Sequence, residues 1–372
     1  MRIIYFINGF DPGGAEHGLL TLLDNGFFDG HELHVFALCK GKGNLWKDVS
    51  DAVGIDNFVL VSEKENLSIR TLLPSLMRFY QEVRVKYPDA VVLSLKQANI
   101  VGRLILTFFP AVHCISFEHI AEYKSNSLEW IYKYLLWLTS YRVNEVWADC
   151  RETLDSTKKY FMPIRKRLGV SVPLYCAGDN LPIKASYGIQ SQIKLLAAGR
   201  LVERKNFDHI IEVVKMLREQ HIDATLDIFG TGSIQEQLLD KAVMYGVDDY
   251  VNFKGYRHDW VNESLTYDIF VNASSVEGFC IVVAEAMGVG LPVVATNIGG
   301  IKEYGVDYEN MIKLNDHNNI QALYESIKTL ISNDDLRERI GKAAASQIRL
   351  KYGKSGLKLA GKKVFLGGDR SE

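Results

Sequence analysis

Hydrophobic and polar positions alternate along this chain in two successive rounds, short apolar runs following longer amphipathic stretches. Arg2 to Ile7 is a near-continuous apolar run, read as a strand covered on both faces. Asn8 to Gly14 then turns, and an amphipathic helix starts at Ala15. Strands are predicted near Leu33 to Leu38, Phe58 to Val61, Ala90 to Ser94, Val112 to Ser116 and Glu145 to Ala148, with a helix from Leu67 to Tyr87. Such alternation predicts a parallel sheet with helices on both faces. The rhythm breaks from Met162 to Tyr187, where Pro163, Pro173 and Pro182 fall, and this is where a linker belongs. A second round follows: strands Lys194 to Ala198, Ala224 to Phe229, Val251 to Phe253, Asp268 to Asn272 and Pro292 to Ala295, with helices Phe207 to Glu219 and Ile234 to Tyr245. Two rounds, each with its own glycine turn, predict an α/β chain of two Rossmann-like, doubly wound domains facing a cleft. The expected divisions are 1–170, a linker 171–187, a second domain 188–345, and a C-terminal helix and tail 346–372.

Composition narrows the class. With 372 residues, each domain can bury its own core. Forty-three basic against 45 acidic side chains give no overall pull toward nucleic acid. The cysteines (Cys39, Cys114, Cys150, Cys176, Cys280) are odd in number and form no C-x-x-C, which fits a reducing compartment and argues against zinc. No signal peptide and no bilayer-length apolar run is visible, so the expectation is a soluble, cytosolic protein.

The stretch Val271 to Gly300 concentrates the chemistry. Glu277 and Glu285 stand with seven residues between them, on either side of the start of an apolar helix read as Phe279 to Met287. Glu277 is expected just before a helix N-terminus, where N–H groups favour an anion, and Glu285 about two turns further on roughly the same face. The plain alternative is that both carboxylates are solvated or paired with Arg or Lys. Arg200 and Lys205 follow the strand Lys194 to Ala198, at the edge where α/β sites lie, with a solvated basic turn as the plain reading. Gly13 and Gly14 belong to a strand–glycine turn–helix layout that presents N–H groups to phosphate.

The segment E-G-F-C-I-V-V-A-E resembles the E-x7-E signature of the family 4 retaining glycosyltransferases, which have the GT-B fold. The likeness recurs at Gly13-Gly14-Ala15-Glu16, at Glu118-His119, in G-R-L-V-E-R-K-N and in I-F-G-T-G-S, in the family's order. It implies transfer of a sugar from a nucleotide-diphosphate donor, UDP or GDP type, to a glycan or lipid-linked acceptor, with retention, in bacterial surface-polysaccharide synthesis. By the same resemblance Arg200 and Lys205 take the diphosphate, Glu285 the ribose, Glu277 the transferred sugar, and His119 the donor sugar or its phosphate. Gly230 and the N–H groups of Phe279, Cys280 and Ile281 join the donor cradle, and Tyr256 lies along the base. The final helix returns to the first domain in the family. The usual N-G motif near residue 177 is replaced by P-L-Y-C-A-G-D-N.

Other readings are weaker or excluded. In Gly230-Thr231-Gly232 the third glycine of a dinucleotide fingerprint would fall on Gln235, so that fingerprint fails. No D-x-D occurs, so no metal and no cofactor is expected. The run Ser127 to Tyr141 places Trp130, Tyr134, Trp137 and Tyr141 on one stripe, which core packing explains. With Lys124, Lys133 and the basic positions Arg349, Lys351, Lys354, Lys358, Lys362 and Lys363, the stripe would instead suit an anionic membrane surface. A nucleotide-sugar epimerase of the same fold and a non-catalytic nucleotide-sugar-binding subunit are the alternatives to transfer.

Overall fold

The computed structural model describes residues 1–11, 13–65, 69–119, 129–160, 167–189, 191–257 and 259–366. The chain divides into two compact units, Met1–Cys176 with Lys354–Glu372, and Ala177–Gly353.

The first unit holds a seven-stranded parallel sheet in the order β3-β2-β1-β4-β5-β6-β7. Its strands are β1 Arg2–Ile7, β2 Glu32–Ala37, β3 Phe58–Leu60, β4 Ala90–Ser94, β5 His113–Glu118, β6 Glu145–Ala148 and β7 Leu168–Ser171. Central β1 and β4 are buried almost throughout, as a sheet covered on both faces requires. Strand alternation sorts their side chains. Ile4, Phe6, Val91 and Leu93 point into one apolar cluster shared with the helices Ile69–Lys86 and Lys96–Leu106. β7 falls inside the segment where the sequence pattern breaks down. It is a short, half-exposed edge strand held by backbone pairing to β6, so it carries no alternating apolar signature.

The helix Glu129–Thr139 and the C-terminal helix Lys354–Leu366 cover opposite faces of this sheet. Leu136 packs with Val146 and Ala148, whereas Phe365 rests edge-on against Trp147, at 5.6 Å between ring centres. Neighbouring positions of one strand point to opposite faces. This corrects the expectation that the aromatic stripe and the basic tail form one surface. The tail is also committed elsewhere: Lys358 pairs with Asp29 at 2.5 Å, and Arg349 donates to the carbonyls of Gly288 and Leu181 within the second unit. The stripe itself is not core. Tyr134, Trp137 and Tyr141 are 55%, 47% and 58% exposed, while Lys124 and the Trp130 side chain lie outside the described residues.

The second unit holds a six-stranded parallel sheet in the order β10-β9-β8-β11-β12-β13. These strands are β8 Ile193–Ala198, β9 Ala224–Phe229, β10 Val251–Gly255, β11 Ile269–Asn272, β12 Val293–Thr296 and β13 Ile312–Leu314. Sequence patterning did not find the three-residue edge strand β13 or the helix Ile320–Ile331 behind it. That helix starts where Asn319 accepts from the Ala322 amide at 2.9 Å, a side-chain cap that periodicity does not register. Two parallel-sheet α/β units are therefore present, as the alternating pattern predicts. Among the described residues no helix is long and apolar enough to cross a membrane.

Candidate functional site

The carboxyl edge of the second sheet brings the Gly199, Gly230 and Glu277 loops together. Gly199 donates to the Phe229 carbonyl at 2.9 Å and Gly230 to that of Gly255 at 2.8 Å. A Cβ on Gly230 would stand 1.9 Å from the Gly199 oxygen, and its φ is +139°. Close passage of two loops thus requires this glycine, independently of any ligand.

Lys205 closes a single 3-10 turn, Glu203–Lys205, after β8. Asn206 follows in the left-handed region at φ 48° and donates its side-chain amide to the Ala273 carbonyl at 2.8 Å. Ser275 bonds back from the other loop, its amide 2.8 Å from the Arg204 carbonyl. These stitches set Lys205 against Glu277, Nζ to Oε1 2.5 Å, with the side chains 12% and 9% exposed. The plain reading of Glu277, a carboxylate paired with Lys, is therefore what the free protein holds. Burial works against both charges, but each partner outweighs it: Glu277 sits below its usual range and Lys205 above. Arg200 is exposed on the loop before this turn.

The helix after Glu277 begins at Ile281, two residues later than expected, and runs to Gly288. Cys280 takes φ 62°, which breaks the helical path and makes Glu277 to Cys280 a turn rather than a first helical turn. Helical periodicity therefore does not relate Glu277 to Glu285, and the expectation of a common helix face is corrected. Tyr304 holds this turn, its buried hydroxyl 3.1 Å from the Phe279 carbonyl and 3.0 Å from that of Cys280. The Gly300 amide donates to Gly278 at 2.7 Å, and a Cβ on Gly299 would lie 2.2 Å from the same oxygen. Tyr304 was missed from sequence; the Gly299-Gly300 pair was the available signal, since adjacent glycines mark close backbone approach. Burial, then the neighbouring Glu277, pushes the Cys280 thiol well above its usual range, so it stays protonated.

Glu285 is partly buried within the helix Ile281–Gly288. Burial lifts its carboxyl to about 7, against the opposing effect of a hydrogen bond with Trp260. Trp260 was not foreseen; it is buried, with its ring centre 5.7 Å from that of Phe270. Tyr256 is exposed, and its phenol is raised by burial and by the Glu285 charge, so the two groups are within electrostatic reach.

Gly13, Gly14 and His119 lie in the first unit. Gly13, extended, precedes the helix Gly14–Asp24, and its carbonyl accepts from the His17 amide at 3.1 Å. His119 packs against Phe117, ring centres 4.3 Å apart and planes tilted by 42°, with Nε2 2.9 Å from the Ser94 hydroxyl. Burial pushes its imidazole down to about 3, so it is neutral and cannot meet phosphate as a cation. Its neighbour Glu118 is bound into a buried network with Arg103 and Ser116, the latter at 2.7 Å.

Residues 180–347, which include Lys205, Glu277 and Glu285, match the family described as Glycosyl transferases group 1. An uncharacterized glycosyltransferase of Haemophilus influenzae is 34% identical over 143 residues, 38% of this chain and 40% of that protein. The lipopolysaccharide core biosynthesis glycosyltransferase LpsE of Rhizobium meliloti is 30% identical over 146 residues, 39% of this chain and 42% of that protein. The chain thus spans well under half the length of these curated relatives. The crystal structure of Anabaena Alr3699/HepE in complex with UDP-glucose superimposes with a TM-score of 0.79 at 18% identity, covering 99% of this chain and all of that one. The architecture is that of the GT-B glycosyltransferases, with the group 1 match confined to 180–347.

Proposed function

We propose that the protein is a retaining glycosyltransferase of the family 4 type, taking its sugar from a nucleotide-diphosphate donor held in the second unit. The buried Lys205–Glu277 pair at the carboxyl edge of the sheet carries this reading. Leaving of the nucleotide diphosphate breaks the anomeric C–O bond and puts its electron pair on a phosphate oxygen, where a cation lowers the barrier. Lys205 supplies that cation, with Arg200 earlier on the same loop and the amides of Phe279, Cys280 and Ile281 in the turn that leads into the helix Ile281–Gly288. Once Lys205 turns to phosphate, Glu277 is left to accept from hydroxyls of the transferred sugar, and Glu285 from the ribose. The acceptor hydroxyl forms the new C–O bond on the same face and gives its proton to the leaving phosphate. Support comes from the group 1 match and from the UDP-glucose named in the similar HepE structure. LpsE, a lipopolysaccharide enzyme, favours a surface-polysaccharide acceptor.

Thermal-shift screening with UDP-, GDP-, ADP- and dTDP-sugars tests the reading, because a donor bound at 100 times its Kd stabilises by about 2.7 kcal/mol. No shift with any of them would refute it. Recovery of an isomerised donor without an acceptor would replace transfer by epimerisation. Binding without either reaction would leave a non-catalytic subunit.

Metal independence follows from the missing D-x-D: turnover is expected to persist in excess EDTA after dialysis. Loss restored by Mg²⁺ or Mn²⁺ would contradict it.

A lipid-linked acceptor would bring the enzyme to a membrane, and the exposed Tyr134, Trp137 and Tyr141 are the surface for it. The helix Lys354–Leu366 lies on the opposite face of the first sheet, and Lys133, over the Tyr160 ring at 5.7 Å, lies on the same helix as Tyr134 and Trp137; one basic residue near an anionic surface is worth about 1 kcal/mol. Co-sedimentation with anionic vesicles should therefore depend little on salt and fall severalfold in Trp137→Ala. Equal sedimentation of that variant would remove the stripe from membrane contact.

A further inference from the structure

Tyr304 brings one hydroxyl to two consecutive peptide groups. It donates toward the Phe279 carbonyl at 3.1 Å and toward the Cys280 carbonyl at 3.0 Å. In a planar trans peptide the carbonyl and the N–H of the next residue point in opposite directions. Two carbonyls drawn to one hydroxyl therefore turn the amides of Cys280 and Ile281 to the side away from the tyrosine. Cys280 is left-handed, φ 62° and ψ 65°, and Ile281 after it is helical. Such a pair gathers successive N–H groups into a concave nest that suits an anion. Cys280, Ile281 and Val282 supply those groups, and their amides make no hydrogen bond among the described residues.

Tyr304 is itself held from two sides. It is 4% exposed, its ring centre 5.3 Å from that of Phe279 and 6.1 Å from that of Tyr352. Its own carbonyl accepts from the side-chain amide of the buried Asn310 at 2.8 Å. Ring and backbone are thus anchored separately, and the hydroxyl has a fixed place from which to pull. The pull matters because a residue with a Cβ disfavours the left-handed region. Without it the Cys280 turn relaxes and its amides diverge.

We propose that Tyr304 is a positioning residue for phosphate: its hydroxyl sets the direction of the Cys280 and Ile281 amides, and through that nest the affinity for the donor's diphosphate. That a diphosphate binds here rests on the proposed glycosyltransferase reading; the part played by Tyr304 goes beyond it.

The test is Tyr304→Phe in the full chain, which keeps the ring contacts and deletes both hydrogen bonds. The Cys280 carbonyl retains the Val283 amide at 3.2 Å, so the variant should fold, with a Tm lower by about 2–4 °C. UDP, GDP, uridine and guanosine are titrated into both proteins, the nucleosides to millimolar concentration by ligand-observed NMR. The diphosphate that binds wild type should bind the variant about tenfold more weakly. Its nucleoside, which carries no phosphate, should bind the two proteins equally. A loss confined to the diphosphate is one that a merely structural tyrosine would not produce. Equal weakening of nucleotide and nucleoside, or unchanged diphosphate binding, overturns the proposal and leaves the donor reading standing. If wild type binds neither diphosphate, the donor reading itself fails and the proposal falls with it.

Discussion

Lys205→Ala is expected to weaken donor binding and turnover by about 1.5–3 kcal/mol, roughly 10- to 150-fold, and to destabilise the free protein at the same time. The second effect follows from Glu277, only 9% exposed, which loses its cation. Stranding one member of a buried ion pair costs about 3–5 kcal/mol, a Tm loss on the order of 10 °C in a unit of this size. The double variant Lys205→Ala, Glu277→Gln separates the two roles. It should recover much of the stability, because the stranded charge is gone, and none of the donor affinity. The sign with pH is fixed by the directions of the shifts. Glu277 lies below its usual range, so the stability it contributes is present above its unfolded value and lost as pH falls through its folded one. Lys205 lies above its usual range, so its contribution holds at lower pH and is lost as pH rises through its folded value. Wild type and Lys205→Ala should thus converge in Tm toward acid pH. Wild-type donor kinetics in Lys205→Ala would refute the clamp, whatever the stability does.

Glu285→Gln should act in opposite directions on stability and on binding. The Glu285 carboxyl is lifted to about 7, so the unfolded chain ionises it more readily than the folded one. Stability is therefore withdrawn as pH rises from the ordinary carboxyl range to about 7, a loss on the order of 3 kcal/mol at alkaline pH. The glutamine variant removes that loss. It should melt higher than wild type at pH 8 and nearly equal to it at pH 4, while donor KM rises because the ribose loses an ionised acceptor. In wild type, donor affinity should climb through neutrality as Glu285 ionises. A Tm difference independent of pH would place the carboxyl in its ordinary range, and an unchanged KM would remove it from the ribose.

Both effects are invisible at the level where the site was first legible. The E-x7-E spacing, the Arg200–Lys205 turn after an apolar run and the Glu118-His119 pair stand out as residue types at the carboxyl ends of strands. Their charge states are set by neighbours far along the chain. Lys205 meets Glu277 across 72 positions because Asn206 and Ser275 lock two loops together. His119 is neutral because β4 and β5 bury it beside Ser94. Tyr304 and Trp260, which hold the turn and bond Glu285, belong to no local pattern at all.

Local information decided what could be decided within one element. Alternation of apolar runs and amphipathic stretches placed the central strands and the helix Phe207–Glu219, because burial on both faces or along one stripe leaves a period in the chain itself. It failed at β7 and β13, short edge strands whose existence depends on a partner strand, and at the start of the helix Ile281–Gly288, where Cys280 is held left-handed by contacts from Tyr304. It left the stripe at Tyr134, Trp137 and Tyr141 open between core and surface, since helical spacing gathers aromatic side chains on one side but does not say whether another element covers that side. Tertiary packing alone determined the desolvation that shifts Glu277, Glu285 and His119, because each depends on atoms that the chain brings near only when folded.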